Sequence, residues 1–148
     1  EAVDLNELVR EVVENLQPIT THHLLIAGTA RQTIIGDRGR LGQVVMNLLT
    51  NAIKYSPRAD TVVVRLAQTH DALTVSVQDF GIGIAERHQA RLFERFYRVL
   101  SEKDQTYPGL GIGLHIAYEI IQRHGGKMWV DSVEEKGSTF SFSLPIRS

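Results

Sequence analysis

The sequence has no cysteine, which excludes disulfides and thiolate-held metals and fits a reducing compartment. No apolar run approaches the roughly 20 residues that a bilayer-spanning helix needs, and no signal peptide is visible. An excess of one charge is missing as well: 16 Lys and Arg stand against 17 Asp and Glu, for a net charge of -1. The two signs are interspersed along the chain, so there is neither a basic stripe for nucleic acid nor a polybasic patch for a membrane surface. Repeats and low-complexity linkers are also absent. What remains is 148 residues, 43% hydrophobic and 22% charged, the balance of one globular domain around one core. The chain opens on "EAVDLNELVR" with no initiator methionine, which reads as a piece of a longer protein.

Periodicity divides the chain into elements. Asp4 with Glu7 makes a capping-box-like start, and Leu5, Leu8, Val9, Val12, Val13 and Leu16 recur at helical spacing until Pro18 ends the helix. "HLLIAG" and "RQTIIGD" read as two short strands. Asp37 can cap a long helix through Tyr55, with Leu41, Val44, Val45, Leu48, Leu49, Ala52 and Ile53 as its apolar stripe and Pro57 as its stop. "TVVVRLAQ" and "ALTVSVQD" predict two strands joined by the turn "THD". The Gly-punctuated loop "DFGIGIA" follows, then the helical stretch "ERHQARLFERFYRV". Residues 100–108 are too long and too polar for a tight turn, and such segments are often lids. "GLGIGLHIAYEIIQRHGG" is a glycine-rich start to a helix closed near Gly125, and "KMWVDSVEE" with "STFSFSLPI" predicts a last hairpin around Lys136 and Gly137. About three main helices and about five strands point to an α+β fold, a two-layer sandwich with the helices on one face of a mixed sheet.

The segment "NLLTNAIKYS", residues 47–56, carries an anomaly. At helical spacing, Asn47, Asn51 and Lys54 fall beside the apolar stripe rather than opposite it, with Asn51 nearest the buried side. Two neutral amides and an ammonium could meet an ion–polyanion pair there. A carboxamide oxygen is a hard ligand suited to Mg²⁺, and a lysine is a point charge for phosphate. The alternative is a polar helix edge with locally bonded amides. "DFGIGIA" places Asp79 at a strand end, followed by Gly81 and Gly83, which permit close backbone approach. A buried carboxylate there can accept from an exocyclic amine, so it would favour adenine over guanine; the alternative is a plain turn. "GLGIGL" puts Gly109, Gly111 and Gly113 where backbone N–H groups can approach an anion at a helix start. It is neither a Walker A loop nor a dinucleotide fingerprint. Phe93 and Phe96 suit a core anchor ahead of the lid segment. Arg98 could reach a terminal phosphate or be an ordinary surface arginine.

Taken in this order and spacing, the motifs resemble the catalytic ATP-binding domain of bacterial sensor histidine kinases, in the wider group shared with gyrase, mismatch-repair and chaperone ATPases. The resemblance covers essentially the whole chain. "NLLTNAIKYS" looks like the family's N box, "DFGIGIA" its first glycine box, "LFERFYRV" its F box and "GLGIGL" its second glycine box. It implies a Bergerat-type fold and ATP with Mg²⁺ as ligands. By position, Asn51 resembles the Mg²⁺ ligand, with Asn47, Lys54 and Tyr55 as its neighbours around the phosphates and nucleotide. Asp79 resembles the adenine reader, with Gly81 and Gly83 shaping its loop. Arg98 resembles the lid-side phosphate contact, and Gly109, Leu110, Gly111 and Gly113 the loop that wraps the triphosphate. Hydrolytic relatives typically carry a glutamate one turn before the metal-binding asparagine. Here Asn47 stands in that place and has no useful basicity, so water attack is not expected to be the main chemistry. Catalysis would then be positioning and charge neutralisation, with Asn47, Lys54 and Arg98 around the phosphates.

None of His22, His23, His70, His88, His115 and His124 sits in the family's phospho-acceptor context. The resemblance therefore implies an acceptor-histidine dimerisation domain upstream of residues 1–148, a response regulator reached through the full-length kinase, and a place on the cytoplasmic side of a sensor that could itself be membrane-bound. It implies no direct membrane or nucleic-acid contact and a monomeric isolated domain. His115 departs from the family, which usually has a small residue there. The pair His22 and His23 could suggest a metal site, but neighbours in a strand face opposite ways. Two other functions share these boxes: an anti-sigma-type serine kinase, and an ATP-sensing module without transfer.

Overall fold

The computed structural model describes residues 1–56, 60–89, 92–93 and 110–146. A two-residue strand β1 (Ala2–Val3) leads into helix α1 (Leu5–Leu16). The Asp4 carboxylate accepts from the backbone N–H of Asn6 and Glu7 at 2.9 and 3.3 Å, satisfying donors that a helix start otherwise leaves open. The face of α1 bearing Leu5, Val9 and Val12 is buried, as the periodicity requires. Pro18 falls in a single 3₁₀ turn, Gln17–Ile19. Strands β2 (His23–Ala27) and β3 (Ile34–Ile35) precede the long helix α2 (Arg38–Lys54). Asp37 caps α2 by accepting from the Arg40 N–H at 3.1 Å.

The remaining elements are β4 (Thr61–Gln68), β5 (Ala72–Asp79), a short α3 (Glu86–Gln89), α4 (Leu110–Arg123), β6 (Lys127–Val133) and β7 (Gly137–Pro145). Five strands form one mixed sheet in the order β2-β4-β5-β7-β6, with only β2 and β4 parallel. β1 and β3 form a separate antiparallel pair. One sheet face presents Val62, Val64, Val75, Val77, Phe140 and Phe142 to α1, α2 and α4 in a continuous core. Burying a side chain such as Phe142 contributes roughly 1.5–3 kcal/mol. The other face is more polar, and the hydroxyls of Ser76 and Ser141 meet across β5 and β7 at 2.9 Å.

This topology fixes where chemistry can occur. β5 is the middle strand, and its last residue, Asp79, is in register with Val62 on one side and Ser138 on the other. The chain leaving Asp79 is thus delivered beside the C-terminus of α2. Among the described residues, no helix is long and apolar enough to cross a membrane.

Candidate functional site

Asn47, Asn51 and Tyr55 recur every four residues, one turn apart along a single side of α2. Asn47 is half-buried, Lys54 is exposed in the last turn, and the Tyr55 N–H donates to the Asn51 carbonyl at 3.0 Å. Asn51 is only 3% exposed. Its side-chain Oδ1 is buried and has no hydrogen-bond partner among the described residues. Such an orphaned acceptor costs about 1–3 kcal/mol, more than a purely structural helix would need to bear. A carboxamide oxygen of this kind fits a hard divalent cation. Among the described residues, no three His, Asp or Glu side chains come together to hold a metal. The donor set therefore suits an ion brought in on a polyanion rather than one caged by protein.

Asp79 is 2% exposed. Burial pushes its carboxyl up to about 6, against the opposing effect of hydrogen bonds from the Gly81 and Ser138 backbone N–H groups. The Gly81 bond is 3.0 Å long. The loop beyond is held at several points. The Ile82 N–H donates to the Tyr55 carbonyl at 3.0 Å, and the Glu135 N–H donates to the Ile82 carbonyl at 2.5 Å. The Ile84 N–H donates to Ser132 Oγ at 2.7 Å, and Gln89 Nε2 donates to the Ile84 carbonyl at 2.8 Å. Two positions in this loop demand glycine. A Cβ on Gly81 would lie 1.8 Å from the Tyr55 oxygen, and one on Gly83, at φ +69, would lie 2.1 Å from the Val133 oxygen. The loop is clamped between the end of α2 and the β6–β7 hairpin, so the carboxyl of Asp79 is aimed before any ligand arrives.

α4 forms the third wall. Asn47 Nδ2 donates to the Gly113 carbonyl at 3.2 Å, which uses the amide nitrogen and not the carbonyl oxygen. Helix α4 already begins at Leu110, so Gly111 and Gly113 belong to its first turn rather than to a loop ahead of it. Arg98, Gly109, Phe96 and the lid segment 100–108 lie outside the described residues. Phe93 stacks on Tyr118 with centroids 5.3 Å apart and meets Phe140 edge-on at 6.3 Å, the core anchor its spacing predicts. His115, the departure noted in the sequence, places Nδ1 3.1 Å from the Phe93 carbonyl and so ties α4 to that anchor. His22 is buried just ahead of β2, and His23, the first residue of that strand, is exposed.

The structure thus gathers Asn47, Asn51, Tyr55, Asp79, Gly81, Gly83 and Gly113 around the junction of α2, the post-β5 loop and α4. The sequence gives no sign of Ser132, Ser138 and Gln89. Ser138 faces Asp79 only once the β5–β7 register is known. Ser132 Oγ lies 2.8 Å from Ser138 Oγ, which links both serines to the loop.

Comparison with known proteins gives the family and the fold. Residues 36–148 match the family model described as histidine kinase-, DNA gyrase B-, and HSP90-like ATPase. Over 113 residues, 75% of the chain, it is 41% identical to the sensor histidine kinase WalK of Bacillus subtilis (strain 168), and it spans 18% of that protein. The mycobacterial sensor histidine kinase MprB superposes with a TM-score of 0.86 at 32% identity, over 99% of both chains. Full-length ShkA, solved in complex with AMPPNP, superposes with a TM-score of 0.84 at 28% identity, over 100% of this chain and 31% of its own. The chain spans between 18% and 38% of the length of the curated relatives it matches.

Proposed function

The chain belongs to the histidine kinase-, DNA gyrase B- and HSP90-like ATPase family, as a catalytic ATP-binding domain of the sensor histidine kinases, and from that premise we propose that it binds Mg–ATP and passes the γ-phosphoryl group to a histidine on a separate helical dimerisation domain. The observation that carries this reading is the buried Oδ1 of Asn51, without a hydrogen-bond partner among the described residues, on the helix whose C-terminus seats the Asp79 loop. An ATP-binding cleft explains why a fold would keep a core acceptor that meets no donor among the described residues.

Each residue then has a chemical task. Asp79, ionised, accepts from the 6-amino group of adenine; guanine carries an acceptor there and would leave two acceptors face to face. Gly81 and Gly83 let the loop pack without side chains between it and its supports. Asn51 offers its carboxamide oxygen to the nucleotide-borne metal. When bound, Mg²⁺ supplies charge neutralisation of the phosphates during transfer. Lys54 offers a point charge to the same phosphates. The roles of Tyr55, Arg98, Gly109, Leu110, Gly111 and Gly113 rest on the family resemblance.

Asn47 decides the acceptor. An amide cannot take a proton from water, so the site is set for transfer to a nucleophile that arrives already competent. The bond between the γ-phosphorus and the departing ADP oxygen breaks, a phosphorus–nitrogen bond to an imidazole forms, and the ring proton leaves to solvent. The dimerisation helices of the parent protein and its response regulator are the partners this implies, on the cytoplasmic side.

The test mixes this chain with ATP, Mg²⁺ and a separately purified acceptor-histidine domain from the same parent. The expected result is acid-labile, alkali-stable phosphate on the acceptor domain and none on this chain. ATP binding with no transfer would make it a sensing module instead, and acid-stable phosphoserine on a partner would make it a serine kinase.

A further inference from the structure

Resting on that reading of the cleft, we infer that His22 is a positioning residue for the nucleotide base, acting through the peptide at Tyr55 and Ser56. His22 is 8% exposed and Ser56 is 0% exposed. The imidazole Nε2 lies 2.7 Å from the Ser56 carbonyl oxygen and 3.2 Å from Ser56 Oγ. Nδ1 lies 3.2 Å from Thr20 Oγ1. A carbonyl oxygen can only accept, so Nε2 carries the hydrogen. The Ser56 hydroxyl donates to the Ala52 carbonyl at 2.7 Å and therefore accepts from the ring as well. The His22 N–H donates to Thr20 Oγ1 at 3.2 Å, which leaves the threonine hydroxyl hydrogen for Nδ1. One neutral tautomer satisfies every one of these bonds.

The backbone that carries the ring is held as well. Gln17 Nε2 donates to the His22 carbonyl at 2.6 Å, and Gln17 Oε1 accepts from the Leu24 N–H at 3.0 Å. His22 is thus a strut from the residue before β2 to the segment just after α2, across 34 residues of sequence. What it braces is the seat of the Asp79 loop. The Tyr55 carbonyl accepts from Ile82 at 3.0 Å. A Cβ on Gly81 would come within 2.7 Å of the Ser56 Cα as well as striking the Tyr55 oxygen. Gly81 in turn donates to Asp79. A shift of the Ser56 peptide therefore moves the donor that aims the Asp79 carboxylate. A merely structural histidine would influence stability but not base preference.

The experiment compares ATP and GTP binding by the wild type and by His22→Ala, His22→Gln and His22→Asn, each with its Tm. A glutamine amide nitrogen reaches the position of Nε2, whereas an asparagine reaches only that of Nδ1. His22→Ala and His22→Asn are expected to raise the Kd for ATP about tenfold, with a smaller preference over GTP. The ratio of ATP affinities with and without Mg²⁺ should stay unchanged, because Asn51 is not on this path. His22→Gln should return to within about twofold of wild type. Folded His22→Ala with wild-type affinity and base preference would overturn the inference, as would a glutamine variant as impaired as alanine. Should alanine fail to fold, nitrogen-15 spectra of the wild-type imidazole still decide. An Nε2–H tautomer whose signal moves on adding adenosine supports the strut, and an Nδ1–H tautomer or an unmoved signal refutes it. A wild type that binds no adenine nucleotide would instead sink the reading of the cleft.

Discussion

Replacing Asp79 with asparagine is expected to raise the Kd for ATP about 100-fold and to remove most of the preference over GTP. The buried carboxyl is approached by the N–H groups of Gly81 and Ser138, and the adenine amine would add another donor. Asparagine turns one of the acceptor oxygens into a donor, so a donor must then face a donor. The same substitution should change the pH dependence of stability. Burial lifts the carboxyl from 3.8 to about 6, so the folded chain holds this proton more tightly than the unfolded chain does. The resulting stabilisation is fully present below 3.8 and is lost as pH rises through about 6. The gap corresponds to about 3 kcal/mol between those limits. Urea unfolding from about pH 4 to pH 8 should show this fall in the wild type and not in Asp79→Asn. Base binding has the opposite sign, because the amine prefers the ionised carboxylate. Adenosine carries no phosphate to titrate, and its Kd should rise toward tenfold per pH unit below about pH 6. A flat profile in the wild type would remove Asp79 from the role of base reader.

Asn51→Ala should separate stability from function. The Mg²⁺-dependent part of ATP binding is expected to fall about 100-fold, while adenosine binding without metal stays near wild type. The variant should unfold no more easily than wild type and should gain about 1 kcal/mol, because a buried orphan acceptor goes and helix propensity improves. Titration calorimetry with and without Mg²⁺, beside chemical denaturation, reads both effects. A destabilised variant with intact Mg²⁺-dependence would mark Asn51 as a structural residue.

These contrasts show where sequence suffices. The apolar stripes of α1 and α2, the caps at Asp4 and Asp37 and the alternation in β4 and β5 are local, and each formed where its period placed it. The amides of Asn47 and Asn51 were conspicuous because they interrupt an apolar face, a signal that also needs only neighbours three and four residues away. What stayed hidden depends on pairing across long separations. β1 is a two-residue strand that exists only because Ile34 and Ile35 come beside it, too short to show any period. Ser132 and Gln89 support the Asp79 loop from 48 and 5 residues away from Ile84, and no spacing rule marks them. The glycines of "GLGIGL" mark a helix start but not where the helix begins, and α4 already begins at Leu110. Gly113 lies within α4 and its carbonyl accepts from Asn47. His22 reads in sequence as one of two adjacent histidines and acquires a task only when Ser56 folds against it.

The central claim is a cleft in which Asn51 serves a metal-bound triphosphate and Asp79 selects the base. Its most direct test is an amide-resolved NMR titration of the wild-type domain with ATP, with and without Mg²⁺, and with GTP as control. The account predicts saturable shifts at Gly81, Ile82 and Ser138 with ATP. A shift of the Asn51 side-chain amide should require Mg²⁺, and GTP should produce little of either. Shifts that avoid these residues, or that are the same for ATP and GTP, would contradict it.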